Sequence, residues 1–382
     1  MDYEIVKLKE IADFNKESIG KNSNYDFINY LDTANITNGA IDTIVRMSIE
    51  EAPSRAKRIV YNDDIVYSTV RPNLCHYGII DSPVENMIVS TGFTVISCKD
   101  GVNPYYVYNY LTQNDITSQL HSIAENSTSA YPSIKPSDLE NIEVRLPKLE
   151  IQNRIAKILT DIDKKIKLNN EINNNLRELC KTNYLRLIEN NSTELSLSEL
   201  MDYQGGSQPP ASEFQKEKSE DNIRFVQIRD FETDSYVCYI PNSNKNKLCN
   251  KDDILIARYG ASLGRICYGL SGAYNVALAK VLPKKEEYKE LLRVILESDD
   301  FYNYINQVGQ RSAQAGFNAG DIAGYNVIIP DENGLKEFNS ISKNVIEKRL
   351  LIIDENRKLS ELRDTLLPKL MNGEIDLDNI EI

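Results

Sequence analysis

No histidine follows position 121 of this 382-residue chain, and only two occur in it, His76 and His121. Gly260-Ala261-Ser262-Leu263-Gly264 has the spacing of a nucleophile elbow, but such a serine needs a histidine later in the chain. Its glycines then serve a tight turn and close backbone approach. No GxxxxGKS/T phosphate loop and no HExxH metal motif is present. The six cysteines, at 75, 98, 180, 238, 249 and 267, form no CxxC pair, and structural zinc wants four closely grouped Cys/His ligands. Free thiols in a reducing compartment are expected. No stretch approaches the roughly eighteen apolar residues of a membrane span. Met1-Asp2-Tyr3-Glu4 lacks the basic start and apolar core of a secretory signal, so a cytoplasmic location away from membranes is expected. Positive charge is also short: Lys+Arg 44 against Asp+Glu 57 gives −13. Any nucleic-acid partner has to be reconciled with that figure.

Hydrophobic residues at 41% and charged residues at 26% are those of an ordinary globular protein, and the length suggests two or three domains. Asn103-Pro104-Tyr105-Tyr106 resembles the Asn-Pro-Pro-Tyr motif of adenine-N6 methyltransferases. The second proline is missing, and so is the glycine-rich loop that holds S-adenosylmethionine. A helix start explains it better, with Asn103 as N-cap and Pro104 in the first turn. Elimination favours a binding protein over an enzyme.

The chain repeats itself. Leu8-Lys9-Glu10-Ile11-Ala12-Asp13-Phe14 returns 189 residues later as Leu197-Ser198-Glu199-Leu200-Met201-Asp202-Tyr203, and Asp63-Asp64-Ile65-Val66 as Asp252-Asp253-Ile254-Leu255. Further on the offset is 183: Asp138 maps to Asp321, Val144 to Val327, Pro147 to Pro330, Asn173 to Asn356 and Leu176 to Leu359. Few residues between these anchors match, which suggests one scaffold carrying two divergent surfaces. Each half opens with about 145 residues of mixed strand and helix signals. A long helix follows. Its apolar positions in the first half are Ile155, Ile158, Ile162, Ile166, Ile172, Leu176 and Leu179; in the second they are Ile341, Val345, Ile352, Leu359, Leu362 and Leu366. These spacings predict a seam for a partner helix. Antiparallel pairing of the two helices would make a rod. The 38 or so residues from Glu150 to near Ile188 would reach roughly 57 Å. The seam's weakest stretch is the asparagine-rich one near Asn169, where a polar residue fixes register.

Leu146-Pro147-Lys148-Leu149-Glu150-Ile151-Gln152-Asn153-Arg154-Ile155 resembles the start of the central conserved region of Type I restriction–modification specificity subunits. Leu366-Leu367-Pro368-Lys369-Leu370-Met371-Asn372-Gly373 resembles the end of their second conserved region. Arg258-Tyr259-Gly260 with Gly264, and the two Asp-Asp-Ile segments feeding that strand, are similar to elements of their target recognition domains. The resemblance spans essentially the whole chain. Two departures stand out: Arg71-Pro72-Asn73 does not reproduce Arg258-Tyr259-Gly260, which leaves the first domain's fine structure open. Asp331-Glu332-Asn333-Gly334 lacks the Glu-x-Gln pattern of the first helix start, so the second helix is expected to begin later or to pair differently.

The resemblance implies an α+β fold with two globular α/β target recognition domains separated by two long antiparallel helices in a coiled-coil rod, related by a pseudo-two-fold internal repeat. The expected boundaries are 1–146 and 191–329 for the recognition domains, 147–190 and 330–372 for the helices, and 373–382 for a tail. It implies a non-catalytic subunit that reads a split double-stranded DNA sequence and holds two methyltransferase subunits, with a translocase and nuclease subunit able to join. S-adenosylmethionine, ATP and Mg belong to those partners, and no cofactor or metal is expected in this chain. Two other readings stay open: a scaffold for two modules that bind no DNA, and a stand-alone adenine methyltransferase.

Groove reading needs side-chain donors and acceptors, with arginine to guanine the commonest specific pair. Candidates in the first half are Asn35, Arg55, Lys57, Arg58, Ser68, Thr69, Arg71 and Asn73, with the loop residues Ser127, Thr128, Ser129 and Tyr131. In the second half they are Gln227, Arg229, Lys245, Lys247, Arg258, Tyr259, Ser262 and Arg265, with Arg311 and Gln314 in the matching loop. For any single one of them a solvated surface role stays equally open.

Overall fold

The computed structural model describes residues 2–20, 25–127, 131–189, 191–309, 316–375 and 377. Two compact units make up the chain, Met1–Lys165 with Leu359–Ile382, and Ile166–Lys358.

The first unit holds an antiparallel ribbon of Tyr3–Lys7 with Glu143–Pro147 and two four-stranded sheets. One sheet is antiparallel, in the order Ala12–Phe14, Phe93–Cys98, Ile65–Ser68, Tyr77–Ile79. The other runs Val45–Ser48, Phe27–Leu31, Met87–Ser90, Ala56–Ile59, and its two central strands are parallel. The second unit repeats this plan. Its ribbon is Ser192–Ser196 with Asn326–Pro330, its antiparallel sheet Met201–Gly205, Leu278–Pro283, Leu255–Ala257, Ile266–Cys267, and its mixed sheet Tyr239–Pro241, Asn222–Val226, Gly272–Tyr274, Leu248–Cys249. Register repeats too: Tyr3 faces Pro147 in one ribbon and Ser192 faces Pro330 in the other, at the offsets of 189 and 183. The fold is α+β with an internal repeat.

The recurring sequence fragments are the pieces that set this scaffold. Asp64 accepts from the Tyr61 backbone N–H at 2.8 Å, and Asp253 from that of Asn250 at 2.8 Å, so each closes the turn that launches the next strand. Period-2 alternation then splits each strand between two cores. Ile65 and Tyr67 enter one cluster and Val66 another; Ile254 and Ile256 enter one and Leu255 another. Asp138 and Asp321 accept from the backbone N–H groups of Lys135 and Asn318 at 2.7 and 2.8 Å, capping two short helices. Asn103 caps Pro104–Leu111, its side chain accepting from the Tyr106 N–H at 3.0 Å, so the methyltransferase-like tetrapeptide is a helix start.

The long helices are Leu149–Ile188 and Glu332–Met371. The second begins 183 residues after the first, and the expected later start does not occur. Asp331 supplies the cap by accepting from the Gly334 N–H at 2.8 Å. Buried Gln152 of the first helix start donates to the Pro147 carbonyl at 2.8 Å and accepts from the Asn103 N–H at 2.9 Å. Its counterpart, Leu335, is buried in the second unit's core instead.

The two helices run antiparallel in each unit. Arg154 meets the Leu377 carbonyl and Asp163 meets Arg363 in the first; Asn169 meets Asn356 and Arg186 meets Glu337 in the second. The seam differs in detail from the expected one. On the first helix it follows 155, 159, 162, 166, 169, 173, 176, 180, 183 and 187, a strict alternation of four and three. Ile172 and Leu179 lie off this row and are 43% and 50% exposed, while Asn169, Cys180 and Asn183 are buried in it. On the second helix Ile341 and Leu362 are likewise exposed, and Ser342, Arg349, Asn356 and Arg363 occupy the seam. Counting apolar residues admitted Ile172 and Leu179 from the neighbouring row because polar residues fill seam positions. Asn169 donates to Glu355 and Asn356 at 2.7 and 2.8 Å, and Asn356 to Asn170 at 2.8 Å.

Candidate nucleic-acid interface

Each unit carries the same hairpin loop with the same twist of backbone. In the first, Ile65–Ser68 and Tyr77–Ile79 are joined by a loop in which Arg71 and Cys75 have φ of 48° and 55° around a 3-10 turn, Pro72–Leu74. In the second, Leu255–Ala257 and Ile266–Cys267 are joined around Gly260–Ser262, with Gly260 and Gly264 at φ of 72° and 81°. The dissimilar sequences Arg71-Pro72-Asn73 and Gly260-Ala261-Ser262 thus fold alike. A second loop is pinned to each hairpin at corresponding places, Val70 bridging Ser133 and Tyr259 bridging Gly316.

In the first unit these two loops bring together Arg71, Asn73, Ser127 and Tyr131. Arg71 and Asn73 are exposed, and the Arg71 guanidinium lies 5.3 Å from the centre of the Tyr131 ring. The Ser127 hydroxyl accepts from the Ser133 N–H at 3.4 Å. Ser68 is buried and Thr69 half-buried. Their hydroxyls donate to the carbonyls of Val70 at 3.1 Å and Gly92 at 2.9 Å, so both shape the loop. Arg55 is exposed but held by Asp32 at 2.5 Å. Strand alternation sends Lys57 and Arg58 to opposite faces. Lys57 is exposed; Arg58 is half-buried, reaches Ser18 at 3.3 Å, and burial pulls its guanidinium below its ordinary pKa. Asn35 donates to the Thr43 carbonyl at 3.3 Å.

In the second unit one hairpin loop carries Arg258, Tyr259, Ser262 and Arg265. Half-buried Arg258 sits among the rings of Tyr259, Tyr203 and Phe317, at 5.0, 5.8 and 5.8 Å. Its Nε is buried without a hydrogen-bond partner. Arg265 pairs with Glu232. Glu232 follows the short turn Ile228–Phe231, which bears Arg229 stacked 5.0 Å over Tyr236; the preceding Gln227 donates to Cys238 Sγ at 3.3 Å. Exposed Lys245 and Lys247 lie on a separate turn ahead of Leu248–Cys249. Thr128, Ser129, Arg311 and Gln314 fall outside the described residues.

Sequence reasoning missed the aromatic platforms Tyr203, Phe317 and Tyr236 and the carboxylates Asp32 and Glu232. All except Tyr236 are distant in sequence from the arginines they hold. All six cysteines are free, and burial pushes the thiols of Cys180 and Cys249 up to about 11 and of Cys267 up to about 12. Among the described residues no group of three or more His, Cys, Asp or Glu is placed to hold a metal, and no helix is long and apolar enough to cross a membrane.

Comparison with known proteins bears on these paired loops. A sequence model of the Type I restriction modification DNA specificity domain matches residues 1–178. The specificity subunit of the Type I restriction enzyme HindI of Haemophilus influenzae is 22% identical, with 92% of this chain and 95% of that protein covered. The MjaIX specificity subunit of Methanocaldococcus jannaschii is 23% identical, covering 87% and 82%. The crystal structure of a Type I restriction–modification S subunit from M. genitalium shares the fold at a TM-score of 0.57 and 15% identity, over 97% of this chain and 96% of that one. The second half repeats the sheets and register of the first, and two specificity subunits align along nearly the whole length: residues 1–178 match a Type I restriction modification DNA specificity domain, and the chain as a whole is similar to Type I restriction enzyme specificity subunits.

Proposed function

We propose that each unit's paired loops read one half of a bipartite double-stranded DNA site and that the long helices set the unread gap between the halves. The observation that carries this is the repeat itself. Backbone, register and loop bridges recur at constant offsets, while the side chains on the loops differ: Arg71, Asn73 and Tyr131 on one, Arg258, Tyr259 and Arg265 on the other. Equal scaffolds with unequal donors suit two different half-sites. Arginines resting on aromatic rings are planar donors with restricted freedom, a suitable form for a groove edge.

The subunit itself does no chemistry in this reading. Two DNA methyltransferase subunits supply adenine methylation with S-adenosylmethionine, and restriction subunits, where they join, supply ATP- and Mg-dependent steps, in the cytoplasm. Docking of two like partners is supported by matching leucines outside the seam. Leu168 and Leu351 are 183 positions apart, as are Leu179 and Leu362, and all four are between 46% and 65% exposed. Sequencing of methylated sites from the chain assembled with its methyltransferase tests the proposal. Two short specific blocks at a constant gap are expected; a single contiguous block, or methylation without sequence preference, overturns it.

A further inference from the structure

The two hairpin loops share a backbone and differ in what they bury. In the second unit Leu263 is sealed in the core at 1% exposure, packed against Gly309. Its counterpart in the first unit, Leu74, is 44% exposed. There Pro72 is the buried anchor, whereas its counterpart Ala261 is exposed. The anchor has moved two residues back along the turn, and the leucine has been turned out. Val70, 40% exposed, stands just ahead of the turn and bridges Ser133, and Arg71 and Asn73 lie in the same turn as Leu74. The second unit has glycine at both left-handed positions of this loop, where glycine is at ease. The first keeps Arg71 and Cys75 there, a conformation that L side chains adopt reluctantly. Backbone strain and an exposed aliphatic side chain therefore coincide at one loop tip.

A leucine cannot grip a phosphate. In the major groove its partner is the 5-methyl group of thymine, just as arginine pairs with guanine and asparagine with adenine. We propose that Leu74 is a specificity-determining residue of the first unit and reads a thymine through that methyl group. This rests on the recognition function proposed above. The test uses the assembled methyltransferase complex, with the wild-type chain or Leu74→Ala, on duplexes whose first half-site thymines are replaced singly by deoxyuridine. At one position the lost methyl should slow wild-type methylation by about fourfold, the worth of one buried methyl. Leu74→Ala should slow the thymine duplex by at least as much and no longer distinguish thymine from uracil there. Leu74→Met, which keeps apolar reach, should retain the preference. Both forms should still methylate a split site with the second half-site unchanged, which separates this outcome from failure of the recognition function itself. A first half-site without an A·T pair overturns the proposal. So does a variant that responds to each uracil as the wild type does, or one that loses activity evenly on all sequences, as a wedge or a merely structural residue would.

Discussion

Arg71 and Arg265 stand on corresponding hairpin loops of the two units, and each is held by a different neighbour, Tyr131 for one and Glu232 for the other. Arg71→Ala is expected to weaken or relax one half-site and Arg265→Ala the other, each by about 1–3 kcal/mol at the position read. Methylation-site sequencing of both variants measures this; equal damage to the same half-site would refute the division of labour. The carboxylates matter as much as the arginines. Asp32 and Glu232 neutralise Arg55 and Arg265 while no phosphate is present. Glu232→Gln should remove the charge that offsets Arg265, tighten DNA binding by the complex at low salt and steepen the slope of log affinity against log salt by about one. An unaltered slope would mean that Arg265 lies away from the DNA. These pairings join residues far apart in sequence, so the arginines could be picked out from the sequence while their partners could not.

The helix seam shows why polar residues were hard to place. Asn169 is 2% exposed and bound to Glu355 and Asn356, while Ile172 is 43% exposed. Hydrophobic periodicity favours the isoleucine; only the partner helix decides that the asparagine faces inward. A buried asparagine fixes register at a cost in stability. Replacing Asn169 and Asn356 together by leucine is therefore expected to raise the melting temperature while broadening the distribution of gap lengths between methylated half-sites. A narrower distribution, or an unchanged one, would show that register is set elsewhere. The same helices offer a length test. Four residues inserted between Asn173 and Leu176 add about 6 Å and should lengthen the gap by one or two base pairs or abolish activity. Full activity at the original gap would remove the helices as a ruler.

At the scale of the whole molecule charge dominates. The chain carries −13, whereas duplex DNA has one negative charge about every 1.7 Å and binds largely by counterion release. Screening over about 8 Å at physiological salt softens the repulsion without reversing it. Two candidate cations, Arg55 and Arg265, are already ion-paired within the chain, which leaves fewer free to meet phosphates. The isolated chain should bind duplex weakly and with little sequence preference, and two methyltransferase subunits should tighten binding by orders of magnitude. A salt titration of both forms measures it; tight binding of one sequence by the isolated chain at physiological salt would contradict the partner-dependent model.

What the sequence determined alone is the repeat, because its anchors act locally. Asp64 and Asp253 close turns onto the backbone three residues earlier, and Asp138 and Asp321 cap helices in the same way. A constraint that spans three residues leaves a visible motif wherever it recurs. The family resemblance and the extent of the first long helix were legible too, whereas the second helix starts earlier than its sequence suggested. Tertiary structure alone decided which face of each helix is buried, that Arg71-Pro72-Asn73 and Gly260-Ala261-Ser262 form the same turn, and that Leu263 is buried while Leu74 is exposed. Each of these depends on a surface supplied from elsewhere in the chain, as Gly309 supplies it to Leu263, and burial is a property of that encounter and not of the residue.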